Sequence, residues 1–242
     1  MQGMATPQLD IIIPVYNEAG NIGDALDALG RSVKTPFRVL ICYDHDEDDT
    51  LPVVRAYNAP FEIVLVKNKG RGAHGAVVTG FRASTAPAVL VFPADDDYNA
   101  GIVEGMAEKF RSGCDIVCAC RFMPGGRMEG APWLKDRITR IAAWTLHHIA
   151  RLPARDPSHG FRLFSRRVLE TIEIESTEGF TYSIELLTKT ARRGWKIGEV
   201  PALWLERKKG QSRFHVLRWL PAYLRWYVYA YETTYLRKGV RG

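Results

Sequence analysis

Leu9-Asp10-Ile11-Ile12-Ile13-Pro14-Val15-Tyr16-Asn17-Glu18 is a nearly unbroken apolar run, rich in β-branched residues, that breaks off in a polar turn. Such a run reads as a strand buried on both faces, where a half-exposed strand would alternate. Similar runs recur at Phe37 to Tyr43, Glu62 to Val66, Ala88 to Phe92 and Asp115 to Ala119. Between them, Asn21 to Leu29, Thr50 to Tyr57, Ala73 to Ala83 and Gly101 to Arg111 carry apolar residues three and four apart, the spacing of crossover helices. Strand and helix alternating in this way predict an α/β chain with a mostly parallel sheet flanked by helices.

Beyond Ala119 the pattern loosens into a Gly- and Pro-rich loop, Phe122 to Pro132, and then an amphipathic helix from Asp136 to about Arg151. A second αβ portion follows. It holds a strand near Phe161 to Phe164, helices near Arg166 to Thr171 and Ser183 to Arg193, and a strand from Trp195 to Leu205. With 242 residues, no internal repeat and no low-complexity linker, one domain over residues 1–242 is expected. Hydrophobic residues at 46% and charged residues at 25% exclude collagenous, disordered and disulfide-scaffold classes.

Charge is divided unevenly. Up to Cys120 there are 10 Lys and Arg against 16 Asp and Glu, and after it 23 against 11, so the halves carry −6 and +12. An acidic half suits cations and a basic half suits phosphates or an acidic membrane surface, whereas nucleic acid is not expected as a partner. The four cysteines lack zinc-site spacing and read as reduced, buried and cytosolic. Met1 to Asp10 has neither the basic nor the long apolar region of a secretion signal, and no run has the length and purity of a membrane span.

In an open parallel sheet, ligands sit outside the carboxyl ends of the strands. Here those ends lead into Pro14 to Glu18, Asp44 to Asp49, Lys67 to Gly72 and Pro93 to Asp97. Asp95 and Asp97, two apart past a buried strand, can turn both carboxylates toward one Mg2+ or Mn2+ that also binds a diphosphate. Asp44 to Asp49 holds five acids in six residues. Most of them read as a solvated turn, while Asp44, directly after the strand, is placed to accept from the imide N–H of a uracil or guanine. Gly70 and Gly72 would let backbone approach a ligand closely.

Ile11 to Glu18, Asn68-Lys69-Gly70-Arg71-Gly72 and Ala94-Asp95 resemble the nucleotide-sugar half of family 2 glycosyltransferases, which have the GT-A (Rossmann-like) fold. Cys120-Arg121-Phe122, Gly125-Gly126, Asp156 to Arg162, Gly198 to Pro201 and Arg207 to Arg213 resemble the polyprenyl-phosphate branch typified by dolichol-phosphate mannose synthase. The resemblance implies residues 9–120 as the nucleotide-sugar half, 121–213 as the acceptor half, and 214–236 as an interfacial helix. It implies that Pro14, Tyr16, Glu18 and Asp44 hold base and ribose, with Gly70 and Gly72 in the donor loop. Asp95 and Asp97 would hold the metal, Arg207 and Arg213 the donor diphosphate, and Arg121 with Lys135 or Arg137 the acceptor phosphate; Asp95, Arg121 and Arg207 are the catalytic set. The family's usual Asp-Ala-Asp reads Pro93-Ala94-Asp95 here.

The activity implied is inverting transfer of a sugar from a GDP-, UDP- or dTDP-sugar to a polyprenyl phosphate at the cytoplasmic face of a membrane. A phosphate monoester is already ionised near pH 7, so its oxygen can attack without a strong general base. One alternative is transfer to a sugar hydroxyl, which would need a base such as Asp156 or Glu185. Another is a non-catalytic nucleotide-sugar-binding protein or membrane scaffold. Phe214 to Leu236 contains eight aromatics, with Arg218, Arg225 and Glu232 recurring every seven residues. That pattern suits a helix lying peripherally in the headgroup layer, and the competing reading is a packing helix or a homo-oligomer interface. None of the six histidines argues for a nucleophile relay.

Overall fold

Burial on both faces dictates how the central strands are arranged. The computed structural model describes residues 6–205 and 216–236, the first four of the latter by backbone alone. A seven-stranded sheet is built from β1 (Leu9–Pro14), β2 (Phe37–Tyr43), β3 (Glu62–Lys67), β4 (Ala88–Val91), β5 (Ile116–Cys120), β7 (Arg162–Ser165) and β8 (Ile197–Pro201). A two-stranded sheet pairs β6 (Arg127–Glu129) with β9 (Leu203–Leu205). The large sheet runs β3-β2-β1-β4-β7-β5-β8, parallel throughout except β7, which lies antiparallel between β4 and β5. The mostly parallel sheet expected from the sequence is therefore present.

Along β1, Ile11 and Ile13 face one core layer and Ile12 the other, the period-two alternation of a strand covered on both sides. The first layer is closed by α1 (Ile22–Ser32), α2 (Thr50–Ala56) and α4 (Ile102–Arg111). The second is closed by α3 (Gly72–Ala83), α6 (Arg166–Thr171), α7 (Thr181–Arg192) and α8 (Val216–Tyr235), with Leu146 of α5 (Trp133–His148). The single charge inside β1, Asp10, is paired with Arg38 Nε at 2.7 Å and accepts from the Thr85 and Ala86 amides at 2.6 and 2.9 Å. Burial alone would raise its pKa, but the guanidinium and the two amides hold it below the usual range. Connections from β1 run to β2 on one side, while β4 lies on its other side, so the order reverses at β1 and β4. The crevice at their carboxyl ends is where this topology places a ligand.

Three sequence expectations need correction. The loop Phe122 to Pro132 contains β6, a strand of three residues too short and too exposed to show a periodic signal. The strand expected over Trp195 to Leu205 is two strands in different sheets. β8 follows β5 as far as the pair Cys120 and Pro201; Ala202 then donates to the Cys120 carbonyl at 2.9 Å and accepts from the Arg127 amide at 3.0 Å. The chain thus changes partner at Ala202, and β9 belongs to β6. The third concerns α8, whose aromatics were expected to form a headgroup belt. Trp226 is 3% exposed, Ala230 is buried, and Tyr227, Tyr229 and Tyr231 are half-buried against the second core layer. Among the described side chains, the outward large hydrophobic residues of α8 are Leu220, Leu224, Val228 and, at its end, Tyr235. Among the described residues no helix is long and apolar enough to cross a membrane, and all four cysteines are buried and free.

Helix α3 lies so close to the sheet that only glycine fits at position 80. A Cβ there would stand 2.8 Å from a methyl of Ile12 and 2.9 Å from Cys42 Sγ. Gly80→Ala should therefore destabilise the protein by about 1–3 kcal/mol, the range for overpacking a core. Urea denaturation of the two proteins checks this, with an unchanged midpoint as the contrary result.

Candidate functional site

The polar turns after β1, β2 and β3 are hydrogen-bonded to one another before any ligand arrives. Asn17, with φ at 54°, donates its amide to both carboxylate oxygens of Asp48 at 3.1 Å, and Glu18 and Ala19 donate to Thr50 and Asp49 at 2.9 and 3.2 Å. Asp48 also accepts from the Thr50 amide at the start of α2 at 2.9 Å. It is buried, so this acid is a clamp between two loops and not part of a solvated turn, while Asp46, Glu47 and Asp49 are exposed as expected. The clamp presents Pro14 at the end of β1 and leaves Tyr16 outward, its ring 6.2 Å from that of His45. Glu18 accepts from the Asn21 side chain at 2.7 Å, ahead of α1.

Asp44 ties the second loop to the third. One of its oxygens accepts from Asn68 Nδ2 at 2.6 Å and the other from the Gly72 amide at 2.9 Å. A carboxylate offers about four lone-pair positions, so Asp44 keeps capacity for a further donor. Asn68 is the centre of the β3–α3 turn: its Oδ1 accepts from the Gly70 amide at 2.7 Å and the Thr79 hydroxyl at 3.1 Å. The two glycines have different causes. Gly72 has φ at 64°, which favours glycine, whereas Gly70 is required by contact with Gly75, whose Cα would lie 3.0 Å from an added Cβ.

After β4, the three acids alternate in burial: Asp95 half-buried, Asp96 buried, Asp97 exposed. Asp96 accepts from the backbone and side-chain N–H groups of Asn99 at 2.9 and 2.8 Å. Burial pushes its carboxyl up to about 7 against those bonds, and Asp95 and Asp97 add to the rise. The Asp95 and Asp97 carboxylates are hard oxygen donors of the kind that could hold a divalent cation. The described residues contain no group of three or more His, Cys, Asp or Glu that could enclose a metal by themselves.

On the other side, Arg121 at the end of β5 is nearly buried and forms a two-pronged pair with the fully buried Asp156, Nε to Oδ2 at 2.7 Å and Nη2 to Oδ1 at 2.8 Å. Burial would raise the Asp156 pKa, yet the guanidinium outweighs it and holds the group at about 2. Ser158 takes the second Nη2 contact at 3.0 Å, and Nη1 has the Met128 thioether at 3.7 Å. The Phe122 ring lies between two guanidiniums, Arg121 at 5.1 Å and Arg140 of α5 at 5.0 Å. Lys135 in the first turn of α5 stands over the Trp204 ring at 4.5 Å, and Arg137 is exposed on the same turn. Arg207 and Arg213 lie outside the described residues.

The model of the glycosyl transferase family 2 matches residues 10–173. The chain belongs to that family. Among its relatives, dolichol-phosphate mannosyltransferase of Pyrococcus furiosus is 25% identical over 90% of this chain, and this chain spans 64% of that protein's length. Undecaprenyl-phosphate mannosyltransferase of Micrococcus luteus is 29% identical, covering 84% of this chain and 85% of the relative. The fold is that of GT-A glycosyltransferases. It matches glucosyl-3-phosphoglycerate synthase of Mycobacterium tuberculosis, solved with Mn2+, UDP and glucosyl-3-phosphoglycerate, at a TM-score of 0.67 and 18% identity over 94% of this chain and 80% of that one. At that identity the likeness carries the fold alone.

Within this family member, both carboxylates weighed as a base for a hydroxyl acceptor are engaged. Asp156 is held by Arg121, and the fully buried Glu185 accepts from the Glu175 and Ser176 amides and from Lys189 Nζ at 2.7, 2.9 and 2.7 Å. His159 is buried and pushed down to about 3 by burial and the neighbouring Arg121, so it stays neutral across the physiological range. Residues that the sequence reading missed are Asp48, Asn68, Asn99 and Arg140. Asn68 two residues before a glycine and Asn99 ahead of a helix start are turn signals that could have pointed to two of them.

Asp156 has a folded pKa below its unfolded value, so its contribution of about 2 kcal/mol is complete above the unfolded pKa near 3.8 and vanishes as pH falls through 2. Asp156→Asn leaves Arg121 buried without a counter-charge and should lower stability at pH 7 by about 3–5 kcal/mol. The gap between the two proteins, measured by denaturant unfolding, should narrow below pH 4. A gap independent of pH would contradict the ion-pair assignment.

Proposed function

We propose that the chain transfers a sugar from a nucleoside-diphosphate donor to a polyprenyl phosphate while resting on a membrane surface. The observation that carries this reading is the outer face of α5. Trp133 is 77% exposed and Ile141 63%, and Leu134, Ile138 and Trp144 are exposed with them. Lys135, Arg137 and Arg140 punctuate the same helix, and Leu220, Leu224 and Val228 of the neighbouring α8 are exposed too. So many large apolar side chains in contact with water mark an interaction surface, and apolar residues interleaved with cations suit the boundary of acyl chains and anionic headgroups. The names of the two mannosyltransferase relatives, both of which specify polyprenyl-phosphate acceptors, support the same reading.

In this scheme Pro14, Tyr16, Glu18 and Asp44 receive the nucleoside, and the Gly70 to Gly72 turn lies beside its phosphates. Asp95 and Asp97 hold a Mg2+ or Mn2+ ion, which when bound neutralises charge on the leaving diphosphate. For Arg207 and Arg213, which lie outside the described residues, the family resemblance implies the same role. The exposed cations at the start of α5, Lys135 and Arg137, and the Nη1 edge of Arg121 draw in the acceptor phosphate. Its oxygen attacks the anomeric carbon and the nucleoside diphosphate leaves from the opposite face, inverting the centre. The acceptor arrives ionised, so the engagement of Asp156 and Glu185 elsewhere does not obstruct it.

Screening GDP-, UDP- and dTDP-sugars with a short polyprenyl phosphate, and following lipid-linked product, tests the reaction. Product with one donor is expected, and Asp95→Ala should reduce its formation at least about 100-fold. Product from a sugar-hydroxyl acceptor and none from the lipid would overturn the acceptor. The surface has its own test. Trp133→Ser, Ile138→Ser and Ile141→Ser together should leave folding intact, since all three are exposed, but release the protein from anionic vesicles in a sedimentation assay. Undiminished sedimentation would remove α5 from the membrane contact.

A further inference from the structure

We infer that Asn99 is a positioning residue that sets the metal-binding turn against strand β9, and through it fixes how the donor diphosphate is held. The inference rests on the donor site proposed above. Asn99 is 3% exposed, and every polar atom of its side chain has a partner. Its Nδ2 donates to the Leu203 carbonyl at 2.7 Å and to Asp96 Oδ2 at 2.8 Å, while its Oδ1 accepts from the Leu203 amide at 3.0 Å. The side-chain amide therefore pairs with Leu203 as a neighbouring strand residue would, donating and accepting across the same gap. Tyr98 adds a longer contact, its hydroxyl accepting from the Leu205 amide at 3.4 Å. The backbone amide of Asn99 completes the arrangement by donating to Asp96 Oδ1 at 2.9 Å.

What β9 connects gives this staple its consequence. On one side β9 pairs with β6, and on its middle residue, Trp204, rests the ammonium of Lys135 from α5. Asp95 and Asp97 stand immediately on either side of Asp96, so Asn99 holds the two carboxylates proposed for the metal against β9. No common substitution reproduces the pattern. Alanine removes all three side-chain bonds, aspartate loses both donors and sets a second acid against Asp96, and glutamine displaces the amide by one methylene.

The test is binding, measured calorimetrically on the full chain with GDP and with UDP, each with Mn2+, and with the corresponding nucleosides. The wild type is expected to bind one diphosphate in a Mn2+-dependent way. Asn99→Ala should weaken that binding about tenfold and leave nucleoside binding unchanged, and hydrogen exchange at the Leu203 amide should accelerate. If Asn99→Ala folds and binds the diphosphate as tightly as the wild type, the inference is wrong and the donor site stands. If Asn99→Ala does not fold, Tyr98→Phe decides: a twofold to threefold weakening supports the inference, and none overturns it. A wild type that binds neither diphosphate removes the donor site, and with it anything for Asn99 to position.

Discussion

Arg121 and Asp156 neutralise each other where β5 leaves the sheet and the segment that becomes β7 approaches it. Neither charge could stay in that interior alone, because removing one partner leaves the other desolvated. Arg162 reinforces the junction from below, donating to the carbonyls of Asp156, Pro157 and Ser183. The result is a rigid seam between strands β1 to β5 and everything that follows residue 120. Phe122, held between Arg121 and Arg140, carries that rigidity outward to α5. A buried pair that would be unremarkable for stability thus fixes the position of one guanidinium edge and one helix.

The loops after β1, β2 and β3 are organised on a different principle. They hold one another through short polar contacts in which Asp48, Asp44 and Asn68 each join two turns. Contacts of this kind order the loops among themselves, which lowers the conformational entropy that binding there would cost. The acidic character of the first half has a second role here: Asp48, Asp49 and Asp96 hold the loops by accepting from their backbone amides.

The apolar runs make the sheet legible because strands buried on both faces have no other composition, and the sequence pattern of β2 and α6 matches both elements to their first and last residues. Elements whose existence depends on a partner were not legible. β6 is Arg-Met-Glu, polar and short, and forms because β9 is turned toward it at Ala202. The aromatic pattern of α8 was real, but it answered to α7 and the second core layer, since periodicity identifies a face without saying what covers it. The same ambiguity hid which face of α5 is buried, since its outward face is the more apolar one. At the site, the positions of candidate acids after each strand were readable, whereas the division between ligand-facing and loop-holding acids required the hydrogen bonds. Asp96 and Asp48 look identical to their neighbours in one-letter code.

The antiparallel insertion of β7 also governs the order in which the chain can fold. β4 and β5 are not neighbours; each pairs with β7 instead. As the chain emerges during synthesis, β1 to β4 can associate, but the free edge of β4 and the whole of β5 wait for residues 162–165. At about 5–20 residues per second, the intervening segment leaves apolar edges unsatisfied for several seconds. Fragments ending before β7 therefore expose two templates for intermolecular strand pairing.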